Sequence, residues 1–145
     1  QTLVVSPAKP GAYLLFSYAR TAELNSYPGP LHILELKDQL KISTAQVQKI
    51  EAAFQEMDAE AKALGQQIIE RERSLSADFA SNRIEQSSLR TQTQLLAELY
   101  GKLRVTHLEA HLKVTPLLSS EQIDKYNILR GYTGSEAHHE HNHRH

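Results

Sequence analysis

The chain has 145 residues, no cysteine, and a formal net charge of -1 from 16 Lys and Arg against 17 Asp and Glu. This length is typical of a single domain, and the balanced charge gives no electrostatic reason to bind nucleic acid. The absence of cysteine excludes disulfides, iron–sulfur clusters, cysteine-ligated zinc and thiol catalysis. Histidine stands out, because five of the eight histidines lie within the last eight positions.

The first part of the chain predicts short helices separated by a breaker. The chain begins with Gln1 rather than Met, which indicates that a leader peptide has been removed. The apolar stretch from Ala12 to Phe16 is far shorter than the roughly 18 residues of a membrane-spanning helix. We expect a helix around Tyr13 to Leu24, a break at Tyr27-Pro28-Gly29-Pro30, and a second helix from about Leu31 to Leu40.

Two long proline-free segments then predict a helical hairpin. In residues 44–80 the apolar positions alternate at spacings of three and four, which is typical of one helix face: Val47, Ile50, Phe54, Met57, Ala61, Leu64 and Ile68. A polar break at Ser81-Asn82-Arg83 precedes a second run from about Glu85 to Thr115. Its apolar face consists of Leu89, Leu96, Leu99, Leu103, Ala110 and Val114, widened by Leu95, Leu108 and Leu112. Such broad apolar faces favour a dimer.

A last short helix is expected from Ser120 to about Leu129, so that all predicted elements are α-helical. Two helix starts share one pattern, an aliphatic residue, then Ser, then Gln three positions later: Ile42-Ser43-Thr44-Ala45-Gln46 and Leu118-Ser119-Ser120-Glu121-Gln122. In a capping box the Ser hydroxyl accepts from the backbone amide three residues on, and the Gln side chain accepts from the Ser amide. The simplest interpretation is two well-capped helices.

The repeated box resembles the LTxxQ motif of the Spy/CpxP group of small periplasmic α-helical proteins. The stretches from Ala22 to His32 and from Leu103 to Leu112 are similar to the heavy-metal sensor and resistance branch of that group, the CnrX- and ZraP-like proteins. The resemblance implies a hooked four-helix arrangement around the hairpin, usually dimeric, in the periplasm. It also implies binding of metal or of unfolded client proteins, and no catalysis.

The best internal metal site includes His107 and His111, which lie four residues apart on one helix face. In an antiparallel hairpin, position 107 falls opposite about position 57 and position 111 opposite about position 53, which places Glu56 and Glu60 within reach. Glu60 is the preferred oxygen donor, since a carboxylate beside two imidazoles suits zinc, nickel, cobalt or copper. Met57 would ligate only a soft metal, and core packing is its preferred interpretation. The alternative for the histidines is an amphipathic surface or a hydrogen-bonded core pair.

The resemblance also implies a ligand on an early helix, and His32 occupies that place. The related sensors have a second histidine one turn later, where this chain has Leu36, and a methionine on the late helix, where this chain has His111. These differences change the donor set and leave the identity of the metal open. Glu35 could take the place of the missing histidine ligand, although we prefer to interpret it as a surface charge.

The C-terminal residues 133–145 form a second candidate metal site, a flexible tail beyond a single helical domain of residues 1–132. Its imidazoles are His138, His139, His141, His143 and His145. Several imidazoles on a flexible segment can bind a borderline divalent ion, such as zinc, nickel, cobalt or copper, with little geometric selectivity. Zinc is the first choice. The alternative is a disordered solubilising tail.

The sequence argues against an enzyme and supports two functions. His107 and His111 enclose Leu108-Glu109-Ala110, which lacks the glutamate that zinc proteases carry immediately after the first histidine, and no nucleophile elbow or phosphate loop occurs. The first function is a periplasmic metal sensor or buffer in heavy-metal resistance or envelope stress. The second is a Spy-like ATP-independent holdase chaperone. The two functions can coexist in a chaperone that is regulated by metal. The expected partners are a second copy of the chain and unfolded clients or a membrane-bound signalling protein.

Overall fold

The computed structural model describes residues 19–132, and these residues form helices and turns without any strand. Residues 19–23 are helical. The helices that follow are α1 (Pro30–Glu35), α2 (Thr44–Ala80), α3 (Gln86–Val114) and α4 (Ser120–Arg130), with a 3-10 turn at Thr115–Leu117. The long helices α2 and α3 pack against each other as an antiparallel hairpin, which confirms the predicted all-α hairpin with short flanking helices.

Both predicted capping boxes are present. The Gln46 amide donates to Ser43 Oγ at 3.1 Å, and the Ser43 amide donates to Gln46 Oε1 at 2.9 Å. At the start of α4 the same two hydrogen bonds join Ser119 and Gln122 at 3.2 and 3.0 Å. Each box satisfies two backbone amides at the start of its helix, which fixes where α2 and α4 begin.

The hairpin has its own apolar core halfway along its length. This core contains Leu64, Ile68, Leu96, Leu99 and Leu103. The chain reverses between α2 and α3 at a turn where Asn82 has a φ of 54°, a left-handed conformation that asparagine tolerates better than most residues. The predicted apolar faces therefore meet as expected.

A second core lies where α1 and α4 pack against the open end of the hairpin, and we call this end the hook. Its buried residues are Ile33, Leu40, Ile50, Val114, Leu118 and Tyr126. The prediction of a helix from Leu31 to Leu40 is wrong in its second half, because α1 ends at Glu35 and residues 36–41 form turns. These turns, with Lys41 at a φ of 52°, carry Leu40 into the hook core, where it is 3% exposed.

Several predictions fall partly or wholly outside residues 19–132. These are the start of the helix around Tyr13 to Leu24, the boundary of the domain at residue 132, and the tail with all five of its histidines. Within the part that is described, no helix combines the length and apolar character needed to span a membrane.

Candidate functional site

Polar side chains are buried in the hook, where residues 23–29 pass across the ends of α3 and α4. We call residues 23–29 the strap. Glu23, His107, His111 and Asn127 are all between 5% and 8% exposed. Buried polar groups are normally paired, so the partner of each polar atom shows what holds the site together.

His111 is fixed by the backbone of the strap. Its Nδ1 lies 2.7 Å from the carbonyl oxygen of Tyr27. Because a carbonyl oxygen can only accept, Nδ1 carries the hydrogen and donates, and in the neutral ring Nε2 keeps its lone pair. The strap therefore orients His111 in the way that outer hydrogen-bond partners orient metal-binding histidines.

Gly29 packs closely against His111 and Glu23. A Cβ atom at Gly29 would lie 2.7 Å from His111 Cε1, 3.0 Å from His111 Nε2 and 3.1 Å from Glu23 Oε1. A side chain at position 29 would therefore collide with both residues, which explains why glycine occupies this position. They do not form a direct ion pair.

Glu23 is held by Tyr126. The Tyr126 hydroxyl donates to the Glu23 carboxylate, with oxygen–oxygen distances of 2.8 and 2.7 Å. Burial, followed by the negative charge of Glu23, raises the pKa of Tyr126, so the phenol stays protonated and remains a donor. A second bond, from Asn127 Nδ2 to Ser26 Oγ at 3.1 Å, also ties the strap to α4.

His107 is buried without a hydrogen-bond partner for one of its ring nitrogens. It is 5% exposed, and its buried Nε2 has no hydrogen-bond partner. Burial, with a smaller contribution from nearby His111, lowers the pKa of His107. The ring is therefore neutral at neutral pH, the form in which imidazole ligates a metal ion.

The lowered pKa of His107 predicts a loss of stability in mild acid. The unfolded chain binds a proton at His107 near the ordinary pKa of 6.5, whereas the folded chain binds it only at lower pH. The free energy of unfolding should therefore be highest above pH 6.5 and fall as the pH drops towards the folded pKa, by at most about 1.4 kcal/mol per pH unit. Urea denaturation at pH 8, 7, 6 and 5 measures this slope. His107→Gln should flatten it and the control His32→Gln should not, whereas equal slopes in all three proteins would contradict the prediction.

The other two predicted internal ligands, His32 and Glu60, lie on α1 and α2. His32 Nδ1 lies 3.0 Å from Glu35 Oε2 on its own short helix. Glu60 is exposed and lines a shallow surface pocket whose lining residues do not include His107 or His111: Ala53, Glu56, Met57, Glu60, Thr106, Glu109, Ala110 and Lys113. Residues near the two predicted facing positions do line one pocket, because positions 53 and 57 share it with positions 106 and 110.

The internal ligand set that the sequence predicts stays a prediction. Among residues 19–132, no three His, Asp or Glu side chains are already placed to hold an ion. The structure brings His107 and His111 close together, and it buries Glu23, which the sequence analysis did not single out. Nothing in the sequence distinguishes Glu23 from the other acidic residues, since its role depends on the strap folding back onto α3 and α4.

Comparison with known proteins agrees with the motif and the fold. Residues 30–130 match the model of the LTXXQ motif family. The chain belongs to the LTXXQ motif family. Proteins of this family are typically periplasmic. The matched range of this LTXXQ protein includes both capping boxes and all of α1 to α4, and it begins just after the strap. No curated protein and no solved structure gives a significant match.

Proposed function

We propose that this LTXXQ protein binds a divalent transition metal in the periplasm and acts as a metal sensor or buffer. The observation that carries the proposal is the buried His107 Nε2 without a partner, one helical turn from a His111 whose Nε2 lone pair is available. An unpaired buried polar atom costs about 1–3 kcal/mol, and metal coordination would satisfy it.

The donor chemistry sets the class of metal. Imidazole nitrogen together with carboxylate oxygen suits zinc best, with nickel, cobalt and copper as the other candidates. Binding through such donors is reversible and depends on pH, as a sensor or buffer requires. A bound ion would supply positive charge between the buried donors, and we propose no catalytic step. The histidines of the tail form a second, less selective site in this proposal.

The alternative function is a Spy-like holdase chaperone, and exposed apolar side chains favour it. The large apolar side chains exposed among the described residues are Leu24, Tyr27, Leu31, Ile69, Phe79, Val105, Leu112, Ile128 and Leu129. Exposed apolar side chains mark a site for another protein where they form a contiguous patch. A second copy of the chain, an unfolded client or a membrane-bound signalling partner are the proposed occupants.

The proposed function is tested by calorimetric titration with zinc, nickel, cobalt and copper salts. The parent protein for this test is the full chain with all five tail histidines replaced by asparagine, which isolates the internal site. We expect one equivalent of metal to bind this parent, and His107→Ala with His111→Ala to abolish that binding. His32→Ala and Glu60→Gln are the matched controls and should bind as the parent does.

A second measurement separates the two functions. If the double variant binds metal as the parent does, or if the parent binds no metal, the proposal of an internal metal site is wrong. Suppression of client aggregation by the metal-free protein would then make the chaperone the better proposal. Two controls distinguish loss of a ligand from loss of the fold. The variant His111→Asn can still donate to the Tyr27 carbonyl, and circular dichroism reports whether each variant is folded.

A further inference from the structure

We infer that the strap is a lid over His111, which opens as a unit while the rest of the hook stays folded. Proteins open locally in segments that have few buried apolar contacts, at a lower free energy than the core. The lid belongs to the metal-free protein, so it goes beyond the proposed function and holds whether or not the histidine pair binds metal. Four observations carry the inference: the cover over His111, the polar attachment of the strap, its separation from both apolar cores, and its strained backbone.

The first observation is that the strap meets both ring nitrogens of His111. The Tyr27 carbonyl oxygen lies 2.7 Å from Nδ1. Gly29 packs against the other nitrogen so closely that a Cβ atom there would lie 3.0 Å from Nε2. The His111 residue as a whole is buried. A molecule in solution can therefore approach this imidazole only after the strap has moved.

The second observation is that hydrogen bonds attach the strap more than apolar packing does. Three of them run from α3 and α4 to the strap: from Tyr126 to the Glu23 carboxylate, from Asn127 to Ser26 Oγ, and from His111 to the Tyr27 carbonyl. Among the apolar and aromatic side chains of the strap, Leu24 and Tyr27 are exposed and Pro28 is buried. Little apolar surface therefore loses its packing when the strap opens.

The third observation is that the strap lies outside both apolar cores. Among the described residues, every member of the two cores and every partly buried apolar residue packed against them lies at position 33 or later. The region that matches the family model also begins after the strap, at residue 30. Opening of the strap therefore leaves the hairpin, the hook core and both capping boxes in place.

The fourth observation is the backbone of Ser26, which has a φ of 66°. This left-handed conformation is unfavourable for residues other than glycine, asparagine and aspartate. Residues in such conformations persist only where the surrounding contacts hold them, and they are frequent in switch regions. Asn127 donates to the Ser26 side chain at 3.1 Å and so helps to hold it. Opening releases this strain, which favours a strap that opens more readily than the helices beneath it.

The lid is tested by chemical modification of the metal-free full chain in which asparagine replaces the five tail histidines. The reagent is diethyl pyrocarbonate, which acylates unprotonated imidazole, and mass spectrometry assigns the product to each histidine. We expect His111 to react more slowly than His32, which is partly exposed on α1. The His111 rate should barely change with urea below the unfolding transition, because a short strap exposes little surface when it opens. A rate that instead follows global unfolding would overturn the inference.

Two substitutions at Ser26 vary how firmly the strap is attached. Ser26→Ala removes the bond from Asn127 and keeps the strained backbone, so the His111 rate should rise about 2–10-fold while the His32 rate is unchanged. Ser26→Gly removes the same bond but relieves the strain, so its rate should rise less. Ser81→Ala is the matched control and should change neither rate, because the hydroxyl there donates to the Ala77 carbonyl at 2.8 Å at the opposite end of the hairpin. Equal His111 rates in Ser26→Ala and the parent would contradict the lid.

Covalent closure of the strap should have the opposite effect. The chain has no cysteine, so Ser26→Cys with Asn127→Cys provides a single pair of thiols at two positions whose parent side chains are in contact. A short dithiol cross-linker should then protect His111 from the reagent and leave the His32 rate unchanged. If His111 reacts equally fast with and without the cross-link, the strap does not control access. Should this variant fail to fold by circular dichroism, the comparison of Ser26→Ala with Ser81→Ala decides.

These outcomes are separate from those of the calorimetric titration. If the Ser26 variants leave the His111 rate unchanged while the double histidine variant loses metal binding, the lid is wrong and the proposed function stands. If the parent binds no metal while Ser26→Ala speeds the modification of His111 and the cross-link slows it, the proposed function is wrong and the lid stands.

Discussion

Replacing Tyr126 with phenylalanine should lower the free energy of unfolding by about 1.5–3 kcal/mol, the range for a hydrogen bond to a charged group. Phenylalanine keeps the ring in the hook core, where Tyr126 is fully buried, and removes only the hydroxyl. Glu23 would then be a buried carboxylate without its donor. The loss should be measurable by urea denaturation of the metal-free protein at pH 7.

Tyr100→Phe is the matched control for this prediction. The Tyr100 hydroxyl also donates to a glutamate, Glu72 Oε1 at 3.2 Å, but that pair is exposed. Its removal should cost no more than about 0.5 kcal/mol. Adding Glu23→Gln to Tyr126→Phe should recover part of the lost stability, because a neutral amide is less costly to bury unpaired than a carboxylate. Equal costs for the two tyrosine variants would show that the Glu23–Tyr126 pair contributes little.

The fold was predictable because its signals are local. The spacing of apolar residues and the capping residues give α2 the predicted bounds, residues 44–80. The end of α1 was not predictable in this way. Residues 36–41 leave the helical path so that Leu40 can enter the hook core, and tertiary burial of this kind has no local sequence signal.

The site was only half predictable for the same physical reason. His107 and His111 lie one turn apart on a helix, so their spacing alone places them together. Glu23 lies in the same region only because the strap crosses α3, where His111 bonds Tyr27, 84 positions away. Glu60 was chosen from the approximate register of the hairpin, and register alone does not decide which side of a helix a side chain occupies. In the structure Glu60 is exposed, whereas His107 and His111 are buried.

The second large effect is expected for Gln46→Glu. This substitution should lower the free energy of unfolding by about 1–3 kcal/mol, although a capping box accepts either residue. In the structure Gln46 Nε2 donates to the Leu117 carbonyl and to Gln122 Oε1, both at 2.8 Å. Gln46 Oε1 accepts from the Ser43 amide and from Gln122 Nε2, the latter at 3.2 Å. A carboxylate could still cap α2 through Ser43, but it cannot donate, and it would face two acceptor oxygens.

Gln67→Glu on the exposed side of α2 is the control and should change the free energy of unfolding by less than about 0.5 kcal/mol. If Gln46→Glu were equally mild, the box would act only as a local cap. A large loss would instead show that the two boxes act as a pair, in which each glutamine caps its own helix and holds the start of the other. Capping alone gives no reason for both boxes to contain glutamine rather than glutamate. The two reciprocal hydrogen bonds between Gln46 and Gln122 require that each side chain has both a donor and an acceptor. The repetition of the motif is thus explained by the hook, where the starts of α2 and α4 meet.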